Sequence, residues 1–99
     1  NQRRAAAKMC ERLLAVIAKG HDLVITHGNG PQVGNLMLQQ DSSEVAGVPP
    51  MPLDVLVAQT EGSLGYLLQD ELLNQLRSNN TGKYVVTMIT QVLVDGGDP

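Results

Sequence analysis

The stretch that most constrains the fold is a short apolar run that leads through a glycine-rich turn into the start of a helix. Leu23-Val24-Ile25-Thr26 is rich in β-branched residues and has the length of a buried parallel strand. Gly28 and Gly30 follow it, and Pro31 suits the first turn of a helix, where its missing N–H leaves no hydrogen bond unmade. This order of strand, turn and helix predicts an α/β protein with parallel strands.

The remaining elements follow from the spacing of apolar residues. Met9, Leu13, Val16 and Ile17 lie on one side of an amphipathic helix, and Gly20 is its natural end. The predicted elements, in chain order, are a helix over 2–19, a strand over 23–26, a helix over 31–40, a loop over 41–52, a helix over 54–76, a turn over 78–82 and a strand over 84–90 that could continue to 94.

Two strands make a poor sheet, because parallel pairs normally lie inside larger sheets that are covered on both faces. The first helix also has no strand ahead of it to complete a βαβ unit. The pattern therefore predicts an N-terminal strand that these 99 residues do not contain. The first residue, Asn1, and the turn-like end Asp95-Gly96-Gly97-Asp98-Pro99 fit the same expectation of an incomplete chain.

Composition limits the classes of function. The chain has a net charge of −3 and is 42% hydrophobic, which fits one globular domain in solution. Lys and Arg form no stripe that would neutralise a nucleic-acid backbone, and no apolar run approaches the ~20 residues of a membrane span. We therefore expect neither nucleic acid nor a membrane as a partner. Cys10 is the single cysteine, which favours a reducing, cytoplasmic setting, and it is interpreted as a small packing residue on a helix.

The glycine-rich turn has the features of an anion site. Gly28 and Gly30 can take positive φ and let a ligand approach the backbone, and the following helix offers unpaired N–H groups and the positive end of its dipole. The spacing Gly28-x-Gly30-x-x-x-Gly34 is one residue longer than the dinucleotide fingerprint, and the G-K-[S/T] of a Walker P-loop is absent. The residues alone predict an anion-binding turn of unspecified ligand, or a tight connection that needs glycine for geometry.

The same region resembles a known family of enzymes. Val24 to Gly34, continuing through Asn35-Leu36-Met37-Leu38-Gln39, is similar to the HGNGPQVGN stretch of carbamate kinases. Further matches in family order are Met51-Pro52-Leu53-Asp54, Gln59-Thr60-Glu61-Gly62-Ser63-Leu64-Gly65-Tyr66 and Thr90-Gln91-Val92-Leu93-Val94-Asp95. The resemblance implies a three-layer αβα amino-acid-kinase-like fold with a parallel sheet. Residues 1–99 would then be a partial acceptor-binding (N-terminal) lobe.

The resemblance also implies an activity, that of an ATP–carbamate phosphotransferase in arginine metabolism, which makes or consumes carbamoyl phosphate. It implies that Gly28, Asn29 and Gly30 bind carbamate or the transferring phosphoryl group. ATP or ADP with Mg²⁺ would be the cofactors of a complete, cytoplasmic homodimer. Carbamate is already an anion and needs no general base, so no catalytic acid–base residue and no protein metal ligand are predicted. His27 is interpreted as a residue that shapes the loop.

The sequence departs from the family in what it lacks. A strand ending in a Gly-Gly-Asn turn, a lysine in a Thr-Lys-Pro-Ile-Gly-type segment and the nucleotide-binding lobe have no counterpart in these residues. We therefore expect the isolated chain to be unable to catalyse phosphoryl transfer. Two other interpretations stay open: a noncatalytic α/β module that binds a small anion or a partner chain, and a kinase that uses another small carboxylate as its acceptor.

The long third helix carries a stripe of small residues, Ala58, Gly62 and Gly65, on one side. Each glycine in a helix interior lowers helix stability by about 1 kcal/mol relative to alanine, so we expect a packing requirement or a bend to explain these two. The stripe predicts either close packing against another helix, with a homodimer implied by the resemblance, or a local bend. The neighbouring stretch Gln59-Thr60-Glu61 is interpreted as helix surface, with polar contacts to the acceptor as the alternative.

Overall fold

The computed structural model describes residues 2–97, except for the side chain of Glu44, and this part of the chain forms three helices. Helix α1 spans Gln2–Ala18, α2 spans Gly30–Val45 and α3 spans Leu53–Ser78. All three predicted helices are confirmed, and α3 packs against both α1 and α2. None of these helices combines the length and the apolar character that crossing a membrane would need.

Helix α2 runs further than the sequence predicted. The segment over 41–45 continues the helix, so the predicted loop over 41–52 is wrong in its first part. The Ser43 hydroxyl donates to the carbonyl of Gln40 at 2.7 Å, a bond that a serine can make without leaving the helix. The chain turns away at Gly47, whose φ of +82° is a conformation that favours glycine.

The core lies between α1 and α3. Its buried members are Cys10, Ile17, Leu72 and Leu76, and the half-buried residues packed against them are Leu14, Leu23 and Val85. The buried side of α1 differs from the predicted stripe, because Met9 and Val16 are each 37% exposed while the small residues Ala6 and Cys10 are buried. Small side chains let two helices approach closely. A prediction that relies on the spacing of large apolar residues does not identify such small residues as buried.

Cys10 is confirmed as a packing residue, with no solvent-exposed surface. Burial raises the pKa of its thiol, because the charged thiolate would lose its hydration, and the negative charge of Glu71 raises that pKa further. The thiol therefore stays protonated in the folded chain, and a reactive role is disfavoured.

The two predicted strands are extended segments, at 21–29 and 81–95, without a strand ladder among the described residues. The parallel sheet is therefore not shown. The second segment still has a strand's alternation: Lys83, Val85 and Thr87 are half-buried, whereas the residues between them are largely exposed. The residues between them are Tyr84, 82% exposed, and Val86, 79% exposed; Met88, which follows Thr87, is 76% exposed. This period of two is that of a strand with one face covered, and helices α1 and α3 cover it.

An ion pair joins the two extended segments near their N-terminal ends. The Nζ of Lys83 donates to Oδ1 of Asp22 at 2.6 Å, and this hydrogen bond lowers the pKa of the Asp22 carboxyl. The Asp22 side chain is exposed, so the pair contributes little to stability. At the far end of the second segment, the amide of Gly97 donates to Oδ1 of Asp95 at 3.0 Å. The rest of the turn predicted there, Asp98-Pro99, lies outside the described residues.

Candidate functional site

Asn29 is the residue at which the first extended segment becomes α2. Its carbonyl accepts the amide of Val33 at 2.9 Å, which is the first hydrogen bond of the helix. The helix begins at Gly30, and Pro31 occupies its first turn as predicted. The loop over 27–30 therefore lies at the N-terminal end of α2, where the helix dipole favours a negative charge.

The backbone amides of this loop are not engaged by the protein's own backbone. Within residues 2–97, no backbone carbonyl accepts a hydrogen bond from the amides of Gly28, Asn29, Gly30 or Gln32. Had these donors been bonded to neighbouring carbonyls, an anion-binding mechanism for the loop would have failed. They are instead available to a ligand, and Gly28 and Gly30 are exposed.

The two loop glycines are not explained by backbone conformation. Neither Gly28 nor Gly30 has the positive φ that the sequence allowed; in the described chain, glycines with positive φ are found at Gly20 and Gly47. A Cβ added at either loop position would meet no atom within 4 Å. What remains is the other property of glycine, an uncovered backbone that a ligand can approach.

His27 is exposed and contacts its own neighbour. Its Nδ1 lies 3.1 Å from the carbonyl oxygen of Gly28. A carbonyl only accepts, so the proton of this hydrogen bond is on Nδ1. The contact fixes the turn between two consecutive residues, which supports the interpretation of His27 as a residue that shapes the loop.

The side chain of Asn29 is anchored to α3. Its Nδ2 donates to Oγ1 of Thr60 at 2.7 Å, and the Thr60 hydroxyl in turn donates to the carbonyl of Val57 at 2.7 Å. Thr60 is only 1% exposed, so its interpretation as a surface residue is wrong. Helix α3 therefore positions the central residue of the loop.

The next residue of α3 holds the other extended segment. Glu61 Oε2 accepts the amide of Thr90 at 2.7 Å, and Oε1 accepts the Thr90 hydroxyl at 3.4 Å. Glu61 is half-buried, so it lies at the helix surface but is bound to this segment, whereas Gln59 is exposed as predicted. Two consecutive residues of one helix thus connect the loop and the second segment.

The stripe of small residues on α3 packs within the chain. Gly65 is buried, and a Cβ added there would collide with the side chain of Thr87 in the second extended segment. At Gly62 the corresponding neighbour is Ile89, whose Cδ1 would lie 4.0 Å away. Glycine at 65 therefore lets the extended segment approach α3. This contact leaves the predicted homodimer untested.

A cavity of about 230 Å³ lies beside the loop, next to α1 and α3. Loop and helix residues that line it include His27, Gly28, Gln32, Leu64, Leu67 and Leu68. The leucines make that side of the cavity apolar, so polar recognition of a ligand would fall to the loop. Within the described residues, no group of three or more His, Cys, Asp or Glu side chains could hold a metal ion.

Comparison with known proteins gives a consistent result, although no family model matches the chain. The chain is 46% identical over 93 residues to a carbamate kinase of Pyrococcus furiosus, covering 93% of this chain and 30% of that protein. It is 43% identical over 99 residues to a carbamate kinase of Trichomonas vaginalis, covering 100% and 32% respectively. The chain thus spans about a third of the length of the curated relatives it matches.

Solved structures give the same result. A carbamate kinase from Giardia lamblia, bound to AMP-PNP, superposes with a TM-score of 0.89 at 34% sequence identity. The match covers 97% of this chain and 33% of that one. A second Giardia carbamate kinase structure has the same TM-score at 37% identity. The arrangement of helices and extended segments described above is therefore similar to one third of a solved enzyme.

Proposed function

The chain is homologous over its whole length to the carbamate kinases, and on that premise we propose that it forms the acceptor side of an ATP–carbamate phosphotransferase. The reaction is carbamoyl phosphate + ADP ⇌ ATP + carbamate. The observation that carries the proposal is the loop over 27–30, which lies at a helix N-terminus with free backbone amides inside a stretch homologous to these enzymes.

Within this proposal, Gly28, Asn29 and Gly30 bind the acceptor or the transferring phosphoryl group. In the direction of carbamoyl phosphate synthesis, a carbamate oxygen attacks the γ-phosphorus and the bond from that phosphorus to ADP breaks. Carbamate is already an anion, so no side chain has to remove a proton first. The loop's contribution is position and charge stabilisation, from amide donors and the helix dipole.

We further propose that the two extended segments are strands of a parallel sheet in a three-layer αβα fold, and that residues 1–99 are a partial acceptor-binding lobe of it. The alternation along 83–88 supports this, because one side of the segment packs on α3 and the other carries exposed apolar side chains. Within the described residues, the backbone of 83–89 makes no hydrogen bond to another extended segment. A strand placed between or beside the segments would satisfy those groups.

The nucleotide is the reactant for which these residues provide the fewest contacts. A Giardia relative binds AMP-PNP, and we propose ATP or ADP for the protein that carries this chain, with nucleotide contacts from the two thirds of the relatives that the chain does not span. Mg²⁺ stays a prediction from the resemblance, and the described residues contain no group of three or more His, Cys, Asp or Glu side chains that could hold a metal ion. The homodimer, the cytoplasmic location and the place in arginine metabolism stay predictions from the resemblance.

The test is an assay of ATP formation from ADP and carbamoyl phosphate. Protein expressed from the complete reading frame that encodes this chain should form ATP, and the 99 residues alone should not exceed the uncatalysed background. The 99-residue chain should nevertheless melt at a higher temperature with carbamoyl phosphate, since binding to the folded state alone stabilises it. An Asn29→Ala variant is the control and should lose that shift. Absence of ATP formation by the complete protein would leave the noncatalytic anion-binding module as the better interpretation.

A further inference from the structure

The contact between the loop and α3 has a fixed direction. Thr60 Oγ1 lies 2.7 Å from the carbonyl oxygen of Val57, and a carbonyl can only accept, so the hydroxyl proton is committed to that bond. The same Oγ1, 2.7 Å from the Asn29 carboxamide, has only lone pairs left to offer. The group of Asn29 that faces Thr60 must therefore be its NH₂, which determines which way round the carboxamide is held.

This direction leaves one atom of Asn29 without a partner. Its Oδ1 accepts no hydrogen bond within the described residues, and it is not among their buried unsatisfied atoms. The backbone of Asn29 is held independently, by the bond from the Val33 amide to its carbonyl. The residue therefore presents a fixed acceptor, Oδ1, in a loop whose other free groups are backbone N–H donors.

We propose that Thr60 is a positioning residue that holds Asn29 Oδ1 as an acceptor for an N–H group of the ligand, so that the site selects a small anion that carries an amino group. The inference rests on the proposed function, in which Asn29 contacts the acceptor. Amides of Gly28 and Gly30 would take the negatively charged oxygens, and Oδ1 would take the N–H. Carbamate and carbamoyl phosphate carry both kinds of group on one carbon.

The fixed orientation of the Asn29 carboxamide should let the site distinguish carbamoyl phosphate from analogues that lack the NH₂ group. Acetyl phosphate has nearly the same size and charge as carbamoyl phosphate, but a methyl group replaces its NH₂. A site built to hydrogen-bond a polar group disfavours an analogue that lacks it, because the partner atom is left unpaired. If the carboxamide were free to rotate, it could turn its NH₂ toward the ligand and the penalty would diminish. Thr60 prevents that rotation.

The kinetic test compares the two acyl phosphates as donors to ADP, with protein expressed from the complete reading frame. We expect wild type to prefer carbamoyl phosphate in kcat/KM. Thr60→Val keeps the shape but removes the hydroxyl, and should reduce that preference at least about tenfold. The loss should fall mainly on KM for carbamoyl phosphate, since the bond is made in ground and transition states alike. Thr60→Ser keeps the hydroxyl and should retain the preference.

A preference in Thr60→Val within about twofold of wild type would overturn the inference. So would a loss of preference in Thr60→Ser as large as in Thr60→Val, because that would point to packing of the threonine methyl. Wild type that forms no ATP from either donor would overturn the proposed function instead.

A second measurement needs no variant and no activity. Hydrogen exchange of the Asn29 side-chain NH₂, followed by NMR in wild type, should be slower than that of Asn74, an exposed asparagine of α3, by about tenfold or more. Equal rates would show that the bond to Thr60 is absent in solution and would overturn the inference even if Thr60→Val does not fold.

Discussion

The α1–α3 pair and the two extended segments differ in where their backbone hydrogen bonds are made and in how their apolar side chains are buried. The helices make their own hydrogen bonds and bury a shared face around Leu72 and Leu76. The extended segments are held from one side, by contacts such as Glu61 to Thr90, and their outer face is open. Stability therefore resides in the helical pair, and the free polar groups that a ligand could use reside at the ends of the segments.

The largest expected effect concerns the helical pair. Leu76 is 1% exposed in the core, and Leu76→Ala should lower the free energy of unfolding by about 3 kcal/mol through lost burial and a cavity. In the same 99-residue chain, Val86→Ala on the open face should change it by less than about 0.5 kcal/mol. Urea unfolding followed by circular dichroism measures both. A comparable loss at Val86 would contradict the open outer face of the second segment, because it would show that this face is covered in solution.

A pair of glycine substitutions tests where the two regions touch. Gly65→Ala places a methyl group against Thr87 and should destabilise by about 1–3 kcal/mol. Gly62→Ala makes only an ordinary contact with Ile89, and should stabilise by up to about 1 kcal/mol because alanine favours the helix. The two signs should be opposite in thermal melts. If both substitutions stabilise, the second segment does not lie against α3 as described.

The smallest expected effect comes from the ion pair between Asp22 and Lys83. The Asp22 pKa is lowered on folding, so the pair contributes above the ordinary carboxyl pKa and is lost as the pH falls through the lowered value. Melting temperatures should therefore fall slightly more between pH 5 and pH 3 in wild type than in Asp22→Asn. The difference should shrink in high salt, because both groups reach solvent. An identical acid response in the two proteins would show that the pair does not form in solution.

Helices were the part of the fold that the sequence predicted well. Their apolar periodicity is a local property, and α1 and α3 ended within two residues of the expected positions. The burial of α1 was less predictable, because Ala6 and Cys10 owe their place to close approach by α3 and not to their own hydrophobicity. The strands were predicted from β-branched composition, but a ladder needs a neighbouring strand, which composition cannot supply.

The candidate site, too, was predictable from the sequence in one part and not in another. The loop around Asn29 was found because glycine, proline and a preceding apolar run occur together in sequence. Thr60 and Glu61 were named in the sequence, but their contacts were not predicted, because their partners Asn29 and Thr90 lie about 30 residues away. A polar pair in mid-helix is ordinarily solvated, and only the fold shows that the loop covers Thr60 and the second segment covers Glu61. Gly65 lies close to Glu61 around the helix and was an available signal for that residue, whereas the glycines lie on the other side of α3 from Thr60 and gave no signal for it.

The adjacency of Thr60 and Glu61 has a mechanical consequence. Thr60 is hydrogen-bonded to the loop and Glu61 to the second segment. A rotation of this turn of α3 would therefore displace the loop and the segment together. A ligand that displaces Asn29 would act, through Thr60, on the same helical turn that binds Thr90. Thr90 lies some 60 residues further along the chain than Asn29. The Cα atoms of Thr60 and Glu61 are joined by one planar peptide unit, so the backbone positions from which the two contacts extend keep a fixed separation.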